Sequence, residues 1–389
     1  MARGANPRRT CQPTLGLVLT GGGARAAYQV GVLQALARMF PRSRNPFGVI
    51  SGTSAGAVSA CVLASQAYRW RRAVVELAEV WAGFRVDQVF MTSPLHTLRA
   101  GAHWVLALLS GGLLLRPPGS VLDNSPLREL LTQHIRWEGV RASIERGHLR
   151  GVAISATCYR TGQSIAFYDA ATDIRDWTRS QHLGVRTPLQ LDHLMASVAL
   201  PMLFPPMQLG DGWYGDGSMR QLNPLSPAIH LGAERLLIVG VGMRGQTGIT
   251  TGVSGMPGAG QILGFMLDTL FTDQIQADME QTRRLNELIE WAPESPEGRD
   301  KDVSRVETLM ITPSVDPREI AARHVAAMPR AMRALLRVIG ARGAGASQLV
   351  SYLMFEGAYT RALMDLGYRD AQRLEGPLRD FIGGEPETD

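Results

Sequence analysis

Lysine is almost missing from this chain: Lys301 is the single one in 389 residues, so arginine carries the positive charge. Cysteine is scarce too, with Cys11, Cys61 and Cys158 odd in number and far apart. That spacing excludes a disulfide framework or a cysteine metal knot and suits a reducing compartment. None of the histidines stands at metal-ligand spacing from cysteines or carboxylates, so no metal or other cofactor is expected. Long apolar runs are also lacking, since no stretch reaches the roughly 20 residues that span a bilayer. The nearest, Ala100–Leu115, is uncharged but short and broken by Ser110, Gly111 and Gly112. It reads as a buried helix, an interfacial element or a cover over a site. The basic N-terminus leads into only a brief apolar segment that ends in three glycines, so no signal peptide is expected. A cytoplasmic protein, at most peripheral to a membrane, is the expectation.

Acidic residues are absent before Glu76, whereas Arg3, Arg8, Arg9, Arg25, Arg38, Arg42, Arg44, Arg69, Arg71 and Arg72 precede it. A region of one sign suits a phospholipid surface or a phosphorylated substrate; the other reading is a compositional preference for arginine. No nucleic-acid partner is expected.

What is present describes a globular protein, 45% hydrophobic and 19% charged. Leu15–Leu19 (LGLVL) is a continuous apolar run of the kind buried on both faces of a parallel sheet. Helix-period residues Ala27, Val30, Leu33 and Ala37 follow within Arg25–Met39. A second short strand over Gly48–Ser51 and a helix over Ala55–Ala67 complete a βαβ unit, which predicts a three-layer α/β fold around a mainly parallel sheet. Further strands are expected over Gly151–Thr157, Ser164–Tyr168, Leu236–Val241 and Glu307–Thr312. Helices are expected over Leu191–Ala199, Ile262–Ile289, Ile320–Val338 and Ser347–Leu366. The division expected is a disordered basic tail at 1–13, a catalytic region at 14–245 and a Gly-rich loop at 246–261. A mainly helical part at 262–375 would complete the same domain, before a disordered tail at 376–389.

Three elements carry chemistry. The first is Gly52-Thr53-Ser54-Ala55-Gly56, placed where a strand hands over to a helix. Gly52 and Gly56 remove the Cβ atoms that would crowd a sharp turn, which leaves Ser54 at its apex near a helix N-terminus. The second is Thr20–Ala27 (TGGGARAA), whose glycines let backbone N–H groups converge on an anion. The same stretch satisfies G-x-G-x-x-A, the dinucleotide fingerprint, but Phe40–Phe47 supplies no acid for the ribose. Arg42 or Arg44 would serve only a 2′-phosphate, and that reading leaves the Ser54 turn unexplained. The third is Tyr214-Gly215-Asp216-Gly217-Ser218, where glycines let the Asp216 carboxylate approach a neighbour as a general base. Asp211-Gly212, just upstream, reads as an ordinary hairpin turn.

Together these elements resemble the patatin-like phospholipase family, in which a glycine-rich loop, a G-x-S-x-G turn and a downstream D-G-G/A element recur. The resemblance covers residues 14–245 and extends to the ending Tyr352–Ala371, with Ala199–Pro206 and Asn223-Pro224 as supporting matches. It implies Ser54 as nucleophile and Asp216 as base. Gly21, Gly22, Gly23, Ala24 and Arg25 would supply the oxyanion hole, supported by Gly52, Gly56 and Gly217. It further implies a patatin-like fold and metal-independent hydrolysis of phospholipid or other acyl-ester lipids, of phospholipase A or lysophospholipase type. Two positions depart from the pattern. Ala26 replaces a glycine, which costs little unless positive φ is required there. Ser218 replaces Gly or Ala and would hydrogen-bond Asp216. Other readings are acyl transfer by the same dyad, a non-catalytic membrane-binding protein, and a Ser–Asp–His triad using His230 or His324.

Overall fold

The structure is a computed structural model that describes residues 14–41, 45–91, 120, 122–243, 258–291, 305–338 and 346–383. Ala100–Leu115, the basic tail and most of the Gly-rich loop lie outside those residues.

Among the described residues, ten strands form one sheet: β1 (Leu15–Leu19), β2 (Val49–Thr53), β3 (Gly151–Cys158), β4 (Ser164–Ala170), β5 (Trp177–Arg179), β6 (His182–Arg186), β7 (Met207–Leu209), β8 (Gly212–Asp216), β9 (Arg235–Val239) and β10 (Glu307–Ile311). The order β10-β9-β1-β2-β3 is parallel throughout, and β4 then pairs β3 antiparallel. The LGLVL run lies at the centre because a strand covered on both faces has no polar side to offer. Leu15, Leu17 and Leu19 enter one core together with α1 (Ala27–Met39), α2 (Ala55–Ser65) and α3 (Trp70–Ala82). Val18, Val49 and Ala153 enter a second core with Leu225, Ala228 and Ile275. Period-two alternation within one apolar run therefore builds two cores, and the architecture is the expected three-layer α/β/α.

Several boundaries differ from the sequence reading. The first helix begins as a 3₁₀ turn, Gly23–Ala26, before α1. The stretch expected as Ile262–Ile289 is helix Ala259–Asp268, a π-turn Thr269–Asp273 and helix Gln274–Trp291. Ile320–Val338 divides into Pro317–His324 and Arg330–Val338, since Pro329 cannot continue a helix. Ser347–Leu366 becomes Ala346–Leu353 and Gly357–Arg373, separated where Phe355 turns into an aromatic cluster 5.8 Å from Phe84. The tail expected to be disordered from 376 starts as helix Glu375–Gly383, anchored by buried Leu378.

Candidate active site

Strand register brings the motifs together. Leu19 of β1 pairs with Gly52 of β2, so the glycine turn after β1 and the turn after β2 emerge side by side at carboxyl ends. Thr53 of β2 pairs with Ser155 of β3, where β2 stops. From the next residue β8 takes over, with Asp216 opposite Ala156 and running the other way. Because β4 already covers the far edge of β3, β2 and β8 meet end to end along the same edge. Ser54 and Asp216 are thereby neighbours although distant in sequence.

Ser54 lies between β2 and α2 with φ 52 and ψ −126, a left-handed conformation that a serine adopts only under constraint. Glycines supply that constraint by letting backbones touch. A Cβ on Gly56 would lie 2.2 Å from the Leu19 carbonyl oxygen, and one on Gly52 2.5 Å from that of Gly56. The Ser54 N–H donates to Ser197 Oγ at 3.1 Å, and its carbonyl accepts from Ala57 N–H at 2.9 Å. Ser197 lies just before the Ala199–Pro206 stretch, and nothing in the sequence marks its hydroxyl as a partner of Ser54.

Asp216 is completely buried and fixed from several directions. Its N–H donates to the Ala199 carbonyl at 2.8 Å, at the start of the Ala199–Pro206 stretch. Its carbonyl accepts from Thr157 Oγ1 at 2.9 Å, and its Oδ1 accepts from the Ser218 N–H at 2.9 Å. A Cβ on Gly217 would sit 2.3 Å from the Ser155 carbonyl, so glycine lets β8 end against β3. Burial pushes the Asp216 carboxyl up to about 6, while hydrogen bonding from Ser54 and Ser218 holds it from rising further. The Ser54 hydroxyl is thus near enough to act on the carboxyl, yet Oδ2 lacks an aligned donor. The contact is close but loose, a geometry that commonly tightens when substrate binds.

In the glycine loop, the Arg25 N–H donates to the Gly22 carbonyl at 3.0 Å and closes the first 3₁₀ turn. That amide is engaged within the turn. The preceding amides of Gly22, Gly23 and Ala24 are the turn's unclosed donors. Ala26 is helical at φ −64, so its departure from glycine introduces no strain. Gly210-Asp211 makes the β7–β8 hairpin turn. His230 stacks on Trp177 at 4.6 Å from the helix Ser226–His230, a packing role.

Access is narrow. Ser54 is 2% exposed. A void of about 20 Å³ bounded by Gly21, Thr53, Ser218, Gln221 and Phe271 has room for one water, and neither Ser54 nor Asp216 lines it. A larger cavity, about 720 Å³, lies at the amino ends of β1 and β2 beside Leu15 and Gly48. That is the wrong end for a ligand of a parallel α/β sheet.

Fold and site together define a three-layer α/β protein with its chemistry-bearing groups gathered at the carboxyl ends of its parallel strands. Residues 17–229 match the patatin-like phospholipases, and the chain belongs to that family, whose family-level activity is lipid acyl hydrolysis. Among solved structures it is similar to VipD from Legionella pneumophila, with 12% identity and a TM-score of 0.39, over 94% of this chain and 67% of that one. Human GIVD cytosolic phospholipase A2 is also similar, with 12% identity and a TM-score of 0.45, over 95% of this chain and 60% of that one. In its complex with methyl gamma-linolenyl fluorophosphonate and terbium chloride, the same human protein is 13% identical with a TM-score of 0.44. The chain thus spans about three fifths of the human protein's length. No curated protein sequence matches it.

Proposed function

We propose that the chain is a metal-independent serine hydrolase of the phospholipase A or lysophospholipase type, with Ser54 as nucleophile and Asp216 as its base. The observation that carries this reading is a serine in a strained strand-to-helix turn beside a buried carboxyl whose pKa lies near 6. A base with that pKa is ionised at neutral pH yet still able to hold a proton. Asp216 takes the Ser54 proton as Oγ bonds to the ester carbonyl carbon. The resulting oxyanion meets the amides of Gly22, Gly23 and Ala24 and the N-terminal dipole of α2. Collapse breaks the ester C–O bond, and the departing alkoxide takes the proton back from Asp216. Water, deprotonated by the same carboxylate, then releases the fatty acid and regenerates the Ser54 hydroxyl. Ser218 tunes the base downward through its hydrogen bond.

A phospholipid surface is the proposed place of action. Ile262, Phe265 and Met266 stand exposed on one edge of an uncharged helical stretch, 259–267, which supports a substrate met at an interface. Mass spectrometry of lipid products from mixed membrane extracts, comparing wild type with Ser54→Ala, tests the reading. Free fatty acid formed by wild type alone is expected. Equal product from both proteins would remove Ser54 from the mechanism, and new ester instead of free acid would make the enzyme a transacylase.

A further inference from the structure

The glycine loop is gripped by segments that lie beyond residues 17–229, the part matched to the family. Arg25, 3% exposed, does not point toward Ser54's partners but into the C-terminal part of the chain. Its Nε donates to Ser351 Oγ at 2.8 Å, and its Nη1 donates to Asp268 Oδ1 at 2.8 Å and to Tyr352 OH at 2.9 Å. The guanidinium also lies 3.7 Å from the centre of the Tyr352 ring. Asp268 is held in turn by the Tyr352 hydroxyl and the Gln348 amide, both donating to its carboxylate.

Backbone contacts close the same grip. Gly23, at φ 52, presses so tightly on the Tyr352 carbonyl that a Cβ would come within 2.4 Å of it. Gly21 meets the Phe271 ring, where a Cβ would come within 2.5 Å. Phe271 is turned inward by the π-turn that begins directly after Asp268. A π-turn inside an otherwise α-helical stretch is rare and frequently attends a functional site.

We infer that Asp268, acting through Arg25 and assisted by Tyr352, is a positioning residue that fixes the Gly22, Gly23 and Ala24 amides. This rests on the proposal that those amides receive the oxyanion. A buried guanidinium needs a compensating carboxylate, and Nη2 of Arg25 already lacks a partner. Without Asp268 the guanidinium must swing toward water. Arg25 closes the loop's first turn through its own N–H, so that swing displaces the three amides before it. Misplacement by about 1 Å costs on the order of 100-fold in rate.

The test compares Asp268→Ala, Asp268→Glu and the milder Tyr352→Phe with wild type by three measurements: amide hydrogen exchange over residues 20–27, labelling by a fluorophosphonate, and hydrolysis of a p-nitrophenyl acyl ester. For Asp268→Ala we expect faster exchange at the loop and stoichiometric final labelling. We also expect kcat per labelled site lower by about 10- to 100-fold, with KM little changed. Asp268→Glu restores part of the rate, and Tyr352→Phe shows a smaller change in the same direction. Unchanged loop exchange, or fewer labelled sites each with normal kcat, overturns the inference. Failure of the wild type to label at Ser54 strikes the proposed nucleophile instead, and loop exchange in Asp268→Ala then decides the positioning role alone.

Discussion

At Asp216 the residue scale shows a conflict between folding and chemistry. A fully buried carboxyl held up to about 6 costs stability when ionised, because burial removes water that the charge would otherwise keep. Below about pH 4 the group is protonated in folded and unfolded chains alike and costs nothing. Between about pH 4 and 6 the unfolded chain loses its proton first, and stability falls as pH rises through the folded value. Past it, the native state has given up about 3 kcal/mol relative to a neutral group. Asp216→Asn should therefore match wild type near pH 4 in denaturant unfolding and exceed it by up to about 3 kcal/mol near pH 8. Wild-type kcat/KM should rise with pH through an inflection near 6. A stability difference that stays constant from pH 4 to 8 would refute this account. The sequence marked Asp216 through its flanking glycines, and Gly217 does meet the Ser155 carbonyl. It could not mark Thr157 or Ser197, because a lone hydroxyl leaves no pattern.

Elements were legible where a local period sets them and illegible where a distant neighbour does. The βαβ unit at 15–65 follows from apolar runs and helical spacing, and its boundaries moved by only a few residues. The π-turn at Thr269–Asp273 has no sequence period, and it carries Phe271, which lies against Gly21. The contact between α1 and helix Gly357–Arg373 is likewise non-local. A Cβ on Gly31 would fall 1.9 Å from the Met364 carbonyl oxygen, and one on Gly367 2.1 Å from that of Tyr28. Two helix backbones touch there, so neither side can yield cheaply. Gly31→Ala should cost about 3 kcal/mol in denaturant unfolding. A loss below about 1 kcal/mol would mean that the helices can slide apart.

For the molecule as a whole, one sheet joins β1 from the beginning of the chain to β10 from its last third, and the C-terminal helices complete the first core. The outer edge of helix Ala259–Asp268, where Ile262, Phe265 and Met266 are exposed, is the surface proposed to meet a lipid phase. Each large apolar side chain that leaves water contributes about 1.5–3 kcal/mol. Replacing both Phe265 and Met266 with serine should lower co-sedimentation with phosphatidylcholine–phosphatidylglycerol vesicles by at least about tenfold. Hydrolysis of a soluble p-nitrophenyl ester should change little. Equal vesicle binding by the variant would place the lipid contact elsewhere.

By itself, the sequence determined the local chemistry: which turns demand glycine, which serine sits at an apex, and which runs are buried on both faces. These are properties of a few consecutive residues, set by steric exclusion and side-chain period. Only the tertiary structure decided the pairings. Asp216 reaches Ser54 because β8 succeeds β2 along one edge of β3, and Arg25 finds Asp268 because a C-terminal helix packs against the glycine loop. Strand order and register settle such meetings, and neither is written in any single stretch of the chain.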